Sequence, residues 1–325
     1  MAKDFSLETC VAEERSFSEK ENKCRQLFER AAEVSGGCWH LYTPGEGQPL
    51  IFRRKEDYVQ MMNLIAVCSY AFPNLMIITF ELMSNHLHML LCGSSDEVGA
   101  FFILLKKRLQ RYFSSAGRPV GLDRFGCCTL LPVTSLESAR NQLVYINRNN
   151  YIVDPDQTPF SYPFGGNSYF FNPFAQRRQD GCLGDLSILK RRAFLRSRET
   201  DYPVSWLLVD GYVSPMNYLR LDLGEGLFRD ARHYFHKISR EVESYKEIAE
   251  QLGDAIYYTD DELSTVVFRI CKQEYGDLSP TMLPSEGKMA VARTLHFDYN
   301  ADNAKIARLL KMPRTVLDQL FHPQK

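Results

Sequence analysis

Between Gly36 and Asn149 the chain switches repeatedly between strand-like and helix-like spacing of its apolar positions. Cys38–Thr43 (CWHLYT) reads as a strand, followed by the turn residues Pro44-Gly45-Glu46-Gly47. Residues 55–72 then place Tyr58, Met61, Met62, Ile65 and Cys68 at helical spacing, and Pro73-Asn74 ends that helix. Leu75–Met83 (LMIITFELM) predicts a buried strand, Ser84-Asn85 a tight turn, and His86–Cys92 (HLHMLLC) a second strand. Helical periodicity returns over 96–115. Residues 117–126 read as loop, Cys127–Pro132 as a strand, and Thr134–Asn149 as a helix. The order β-α-β-β-α-β-α predicts an α/β sandwich whose helices cover one sheet.

Outside that block the pattern changes. Residues 1–34 read as a polar helical lead-in. From Asp154 to Asn172 the sequence (DPDQTPFSYPFGGNSYFFN) is rich in Pro, Gly, Asn and aromatics, which marks irregular structure closing the first domain. Its aromatics, Phe160, Tyr162, Phe164, Tyr169, Phe170 and Phe171, read as edge packing, with base stacking the alternative. Residues 177–198 carry Arg177, Arg178, Lys190, Arg191, Arg192, Arg196 and Arg198 against Asp180 and Asp185, as expected of a basic linker that tracks nucleic acid or, equally, of a solvated loop. From Leu227 onward the pattern is helical. Residues 286–321 carry a helix-turn-helix spacing, with Asp302 or Asn303 placed to cap the middle helix and Pro313 at the start of the last. The expected division is a lead-in at 1–34, an α+β domain at 35–172, a basic linker at 173–226 and a helical domain at 227–325.

Composition narrows the classes. The 325 residues carry 39 Lys+Arg against 40 Asp+Glu, so any nucleic-acid footprint must be local rather than global. The apolar runs are far shorter than the roughly 18 residues a membrane span needs, and the charged N-terminus shows no signal peptide, so a cytoplasmic protein is expected. Nine cysteines without a C-x-x-C pair give a zinc site no support and a disulfide framework little; most read as small core residues in a reducing compartment.

The chemistry concentrates in one strand. His86 and His88 are two apart and project to one face, half of a metal site. Tyr145 and Asn149 lie four apart on one helix face, while Ala139, Leu143 and Ile146 occupy another suited to packing on the sheet. The stretch Met83-Ser84-Asn85-His86-Leu87-His88-Met89-Leu90-Leu91 resembles the M-P-N-H-V-H-L-L signature of single-tyrosine HUH nucleases. Tyr145-Ile146-Asn147-Arg148-Asn149-Asn150 resembles the Y-I-x-x-N-P pattern of their REP-associated tyrosine transposases and insertion-sequence relatives. Ser84 and Asn150 depart from the prolines of those patterns; the first changes turn stiffness and the second the end of the helix.

The resemblance spans roughly residues 36–165. It implies a ferredoxin-like HUH nuclease domain with an antiparallel sheet, followed by an all-helical C-terminal region. It implies a Mg²⁺ or Mn²⁺ ion held by His86, His88 and Asn149, with Tyr145 as nucleophile. The activity expected is nicking and strand transfer on single-stranded or hairpin DNA through a 5′-phosphotyrosine link, by a bacterial monomer or homodimer. A non-catalytic DNA-binding regulator of the same fold is the alternative. Tyr112 is the rival nucleophile, although it lacks an amide one turn on. Lys106, Lys107, Arg108 and Arg111 in its helix are candidate phosphate contacts, with a solvated helix face the equal alternative, and Arg148 is grouped with them. Arg314 and Thr315 open the last helix of the helix-turn-helix, where base edges are read, with Lys305 and Arg308 on phosphate. His40 reads as structural, with a supporting or DNA-contacting role as the alternative.

Overall fold

The structure is a computed structural model that describes residues 7–45, 50–123, 125–148, 162–175, 179–239, 260–276, 279–299 and 301–321. Asn149, Asn150, Phe160, Arg177 and Arg178 lie outside the described residues. A long helix, α1 (Leu7–Ser35), leads into β1 (Cys38–Tyr42), α2 (Lys55–Tyr70), β2 (Met76–Leu82) and β3 (Leu87–Cys92). There follow α3 (Ser95–Ser115), β4 (Thr129–Pro132) and α4 (Leu136–Arg148). The four strands form one antiparallel sheet in the order β2-β3-β1-β4, so the fold is mixed α+β.

Alternation along the strands sorts side chains between two cores. Leu41, Leu87, Met89 and Leu91 face α2 and α3, together with Met61, Ile65, Phe101 and Leu105. Cys38, Leu90 and Cys92 face the other way, toward Leu143 and Ile146 of α4 and Phe28 of α1. One irregularity changes what β2 presents. Ile77 pairs with Leu91 and Thr79 with Leu90, so Ile78 is an inserted bulge residue. Ile77, Phe80 and Leu82 keep to the α2/α3 core, and the bulge turns Ile78 and Thr79 both toward α4.

The outer edge of β2 is covered. Gly166 N donates to Phe80 O at 2.8 Å, Leu82 N to Phe164 O at 3.0 Å, and Arg220 N to Ile77 O at 2.7 Å. A Cβ at Gly166 would stand 2.5 Å from Thr79 Oγ1, so only glycine permits this approach. Covering the edge removes a template for strand addition.

Residues 173–226, expected as a basic linker, carry structure of their own. β5 (Gly181–Cys182), β6 (Leu207–Val209) and β7 (Tyr212–Val213) form a small sheet, accompanied by α5 (Ile188–Leu195) and α6 (Leu221–Gly226). Leu183, Leu195, Tyr202, Trp206, Leu208 and Val213 pack on Ala66 and Val67 of α2. The cations of α5 drew the sequence reading, whereas the apolar residues that fold this segment are spread thinly through it.

The C-terminal region is helical over its described residues: α7 (Ala231–Ser239), α8 (Asp260–Tyr275), α9 (Ser285–Phe297), α10 (Asn303–Leu310) and α11 (Arg314–Leu320). Asp302 caps α10 by accepting from Lys305 N at 2.8 Å, and Lys311 ends it in the left-handed conformation at φ 50°. Val291, Leu295, Ile306, Leu310, Leu317 and Phe321 bury the helix-turn-helix core against the rest of the molecule. Among the described residues no helix is long and apolar enough to cross a membrane.

Contrary to the expectation of unpaired core thiols, one pair of cysteines is bonded. Cys38 and Cys92 face each other directly across β1 and β3 and form a disulfide. Spacing along the chain could not show this, because the pairing depends on sheet register. Cys24, Cys68 and Cys271 are buried free thiols, as expected of core residues.

Candidate active site

The histidine hairpin is built first. Met83 N donates to His86 O at 2.9 Å, which closes the Ser84-Asn85 turn. Asn85 Nδ2 donates to Gly45 O at 2.9 Å, and Asn85 Oδ1 sits 2.7 Å from His86 Nδ1. One side-chain amide thus ties the turn to the loop after β1 and orients the first imidazole. Two residues on, His88 lies opposite Tyr42 of β1 and opposite Glu81 of β2. His40 Nε2 is 3.0 Å from His88 Nδ1, a buried hydrogen bond across the two strands. The His86 and His88 rings lie 5.0 Å apart at 84°, and Tyr42 stacks beside His88 at 5.9 Å.

Helix α4 brings the phenol to this cluster. The Tyr145 ring stands 5.5 Å from that of His88 and 6.1 Å from that of His40, edge-on to both. Side chains that began 57 residues apart (145 − 88) therefore meet. The helix is fixed at both ends. Near its C-terminus, Thr79 Oγ1 donates to Asn147 Oδ1 at 2.5 Å and Asn147 Nδ2 donates to Tyr234 OH at 2.9 Å. Tyr234 OH donates to Asn167 Oδ1 at 2.6 Å, and Asn167 Nδ2 returns to Asn147 O at 2.8 Å. Burial pushes the Tyr234 phenol well above its ordinary range, so it serves this ring as a neutral hydroxyl.

Toward its other end, Arg140 Nε donates to Leu227 O at 2.6 Å, and its Nη1 and Nη2 grip Glu21 of α1 at 2.6 and 3.1 Å. Arg229 adds a further bond to Glu21 at 3.2 Å. The hydrogen bond from Arg140, aided by Arg229, holds the Glu21 carboxyl below its ordinary value against the opposing effect of burial. Lys237 of α7 also pairs with Glu137 of α4.

The cluster is closed. His40, His86 and His88 are 0% exposed, Glu81 1% and Tyr145 2%. Among the described residues no group of three His, Cys, Asp or Glu forms a complete metal-ligand set. His86 and His88 are both engaged through Nδ1, the arrangement in which a histidine ligates through Nε2. Two imidazoles in this arrangement would supply two of the ligands a divalent cation needs, and oxygen donors would have to supply the rest.

Tyr112 packs in the α2/α3 core on the opposite face of the sheet from the histidines. Its OH donates to Asp57 Oδ1 at 2.7 Å, while Arg118 grips the same carboxylate at 2.6 and 3.1 Å. Burial and the Asp57 charge push the Tyr112 phenol up to about 12. The sheet therefore lies between Tyr112 and the histidines, and the Tyr112 hydroxyl is committed to Asp57. Lys106, Lys107, Arg108 and Arg111 ride on α3 in that same layer, with Lys107 and Arg111 exposed. Arg148 is buried at the end of α4, so it does not present a free surface cation. Arg314 and Thr315 are exposed at the start of α11, where Arg314 pairs with Asp318 at 3.4 Å.

Tyr42 and Glu81 flank His88 across the neighbouring strands, His40 bonds it and Asn147 anchors α4, places that the residue pattern alone does not single out. A signal existed for Glu81: with Thr79, it interrupts the otherwise apolar strand MIITFEL. Its direction depends on the bulge at Ile78, which the residue pattern does not announce.

No protein-family model matches the chain, and no curated protein matches it. Among solved structures, a REP-associated tyrosine transposase bound to a REP hairpin is similar over 53% of this chain and 86% of that one. The identity is 16% and the TM-score 0.33, a likeness too slight to assign fold or activity.

Proposed function

We propose that the chain is a transposase-like DNA-processing protein that nicks and rejoins single-stranded DNA through Tyr145. The observation that carries this reading is the Tyr145 ring 5.5 Å from His88, beside His86, at the meeting of α4 and the β2–β3 hairpin. The βαββαβ order with sheet order β2-β3-β1-β4 supports a ferredoxin-like HUH nuclease domain. The helix-turn-helix, with Arg314 and Thr315 exposed at the head of α11, supports duplex recognition by the C-terminal region.

In this reading Tyr145 Oη attacks the scissile phosphorus, and the bond from phosphorus to the 3′-oxygen breaks. The products are a 5′-phosphotyrosine and a strand ending in a 3′-hydroxyl. Attack by another 3′-hydroxyl reverses the step and releases the phenol, so joining needs no added energy source. A phenol with an ordinary pKa of about 10 is a poor nucleophile near neutrality. A Mg²⁺ or Mn²⁺ ion on His86 and His88 would polarise the scissile phosphate. Asn149 is its proposed third protein ligand. His40 orients His88, and the Thr79-Asn147-Tyr234-Asn167 ring holds α4 in register.

The closure of the cluster favours a second reading. With Tyr145, His86 and His88 buried, a scissile phosphate enters only if cover is displaced; a protein that kept the fold solely to bind DNA would keep it closed. Labelled single-stranded oligonucleotides carrying hairpins, incubated with Mg²⁺ or Mn²⁺, separate the two. Cleavage that disappears in His86→Ala and His88→Ala supports the nuclease. Binding without cleavage under every metal supports the regulator.

A further inference from the structure

Two basic segments that lie about 80 residues apart in sequence are brought together on the side of the sheet away from the histidines. Residues 103–118 hold Lys106, Lys107, Arg108, Arg111 and Arg118 without an acidic residue, and residues 188–198 hold Lys190, Arg191, Arg192, Arg196 and Arg198, again without one. Arg196, in the left-handed conformation at the end of α5, lays its guanidinium over the Tyr112 ring at 4.8 Å and donates to Ser115 Oγ at 3.3 Å. Arg108 approaches Glu199 at 3.8 Å, and Asn63 of α2 donates to Phe194 O at 3.3 Å. These contacts fasten the end of α5 to α2 and the C-terminal half of α3.

The carboxylates that pair with these cations are few. Asp57 is buried and taken up by Arg118 and Tyr112; Glu199 is shared between Arg108 and the Tyr202 hydroxyl. Lys107, Arg111, Lys190, Arg192 and Arg198 remain exposed. Among the described residues of α3 and α5 no ring is exposed: Tyr112 and Phe113 are buried and Phe194 is half-buried. Charge without exposed rings suits the phosphates of paired strands better than splayed single-stranded bases.

We infer that the α3–α5 face binds the backbone of a DNA duplex, such as a hairpin stem, while the opposite side of the sheet holds the histidine–tyrosine cluster. This rests on the DNA-processing reading above. The test is fluorescence anisotropy with a labelled DNA hairpin across a salt series, with melting temperature as the folding control. The variant reverses four exposed charges: Lys107→Glu, Arg111→Glu, Lys190→Glu and Arg192→Glu. Affinity should fall at least tenfold, and the slope of log affinity against log salt should become shallower by roughly 2–4, since each phosphate contact contributes about 0.9. The α3 pair and the α5 pair, each reversed alone, should give intermediate losses, which keeps the test open if the fourfold variant does not fold. Lys20→Glu with Lys23→Glu on α1 should change neither quantity.

Wild-type affinity and slope in the folded variants would overturn the surface. So would an equal loss on an unpaired strand of the same length. Tight, salt-sensitive hairpin binding that is lost in the variants, with no cleavage by the wild type under any metal, would leave the surface standing and overturn the nuclease reading.

Discussion

His40 and His88 share a hydrogen bond of 3.0 Å between Nε2 and Nδ1, joining neighbouring strands of one sheet. In the proposed function His88 would ligate the cation through Nε2, with His40 fixing the ring's orientation through Nδ1. A partner that orients a ligating histidine is commonly worth 10–100-fold in metal affinity. His40→Gln should therefore raise the Mn²⁺ concentration needed for cleavage by about that factor, with activity recovering at high Mn²⁺. Titration of cleavage against Mn²⁺ checks this. An unchanged metal dependence would show that His40 only packs.

The pairing of Glu21 with Arg140 and Arg229 predicts acid lability. The folded carboxyl is held below its ordinary value, so its contribution is present above the unfolded value of about 4.3. It is lost as pH falls through the depressed folded value. Urea unfolding midpoints should drop over that window in the wild type, and Glu21→Gln should flatten this part of the profile while lowering stability near neutrality. A profile with the wild-type slope in Glu21→Gln would contradict the assignment.

Much of the fold was legible because strand and helix periods differ. The strands at Cys38, Met76 and Leu87 and the helices over α2, α3, α4 and the helix-turn-helix fall close to their expected spans. The approach of Tyr145 to His88 was legible only through the resemblance, since no spacing rule reports how a helix crosses a sheet. Glu81 was not legible because a bulge sets its direction. Tyr112 was a plausible nucleophile in sequence, where its basic neighbours were visible but its bond to Asp57, 55 residues earlier, was not. The same holds for 173–226, whose arginines stand out while the few apolar residues that fold it do not.

The Cys38–Cys92 link closes a separation of 54 residues, and loop-closure entropy sets an upper bound of about 4 kcal/mol on its contribution. Dithiothreitol under mild denaturant should lower stability by about 2–4 kcal/mol, read from urea midpoints. Cys38→Ser with Cys92→Ser should match the reduced protein. If oxidised and reduced forms unfold together, the link contributes nothing.

In the proposed function Tyr145 becomes covalently joined to DNA. Protein incubated with labelled single-stranded hairpin DNA and Mn²⁺, then resolved on a denaturing gel, measures that link directly. A shifted, denaturant-resistant band is expected for the wild type and for Tyr112→Phe, and none for Tyr145→Phe. An adduct that persists in Tyr145→Phe, or one lost only in Tyr112→Phe, would contradict that function.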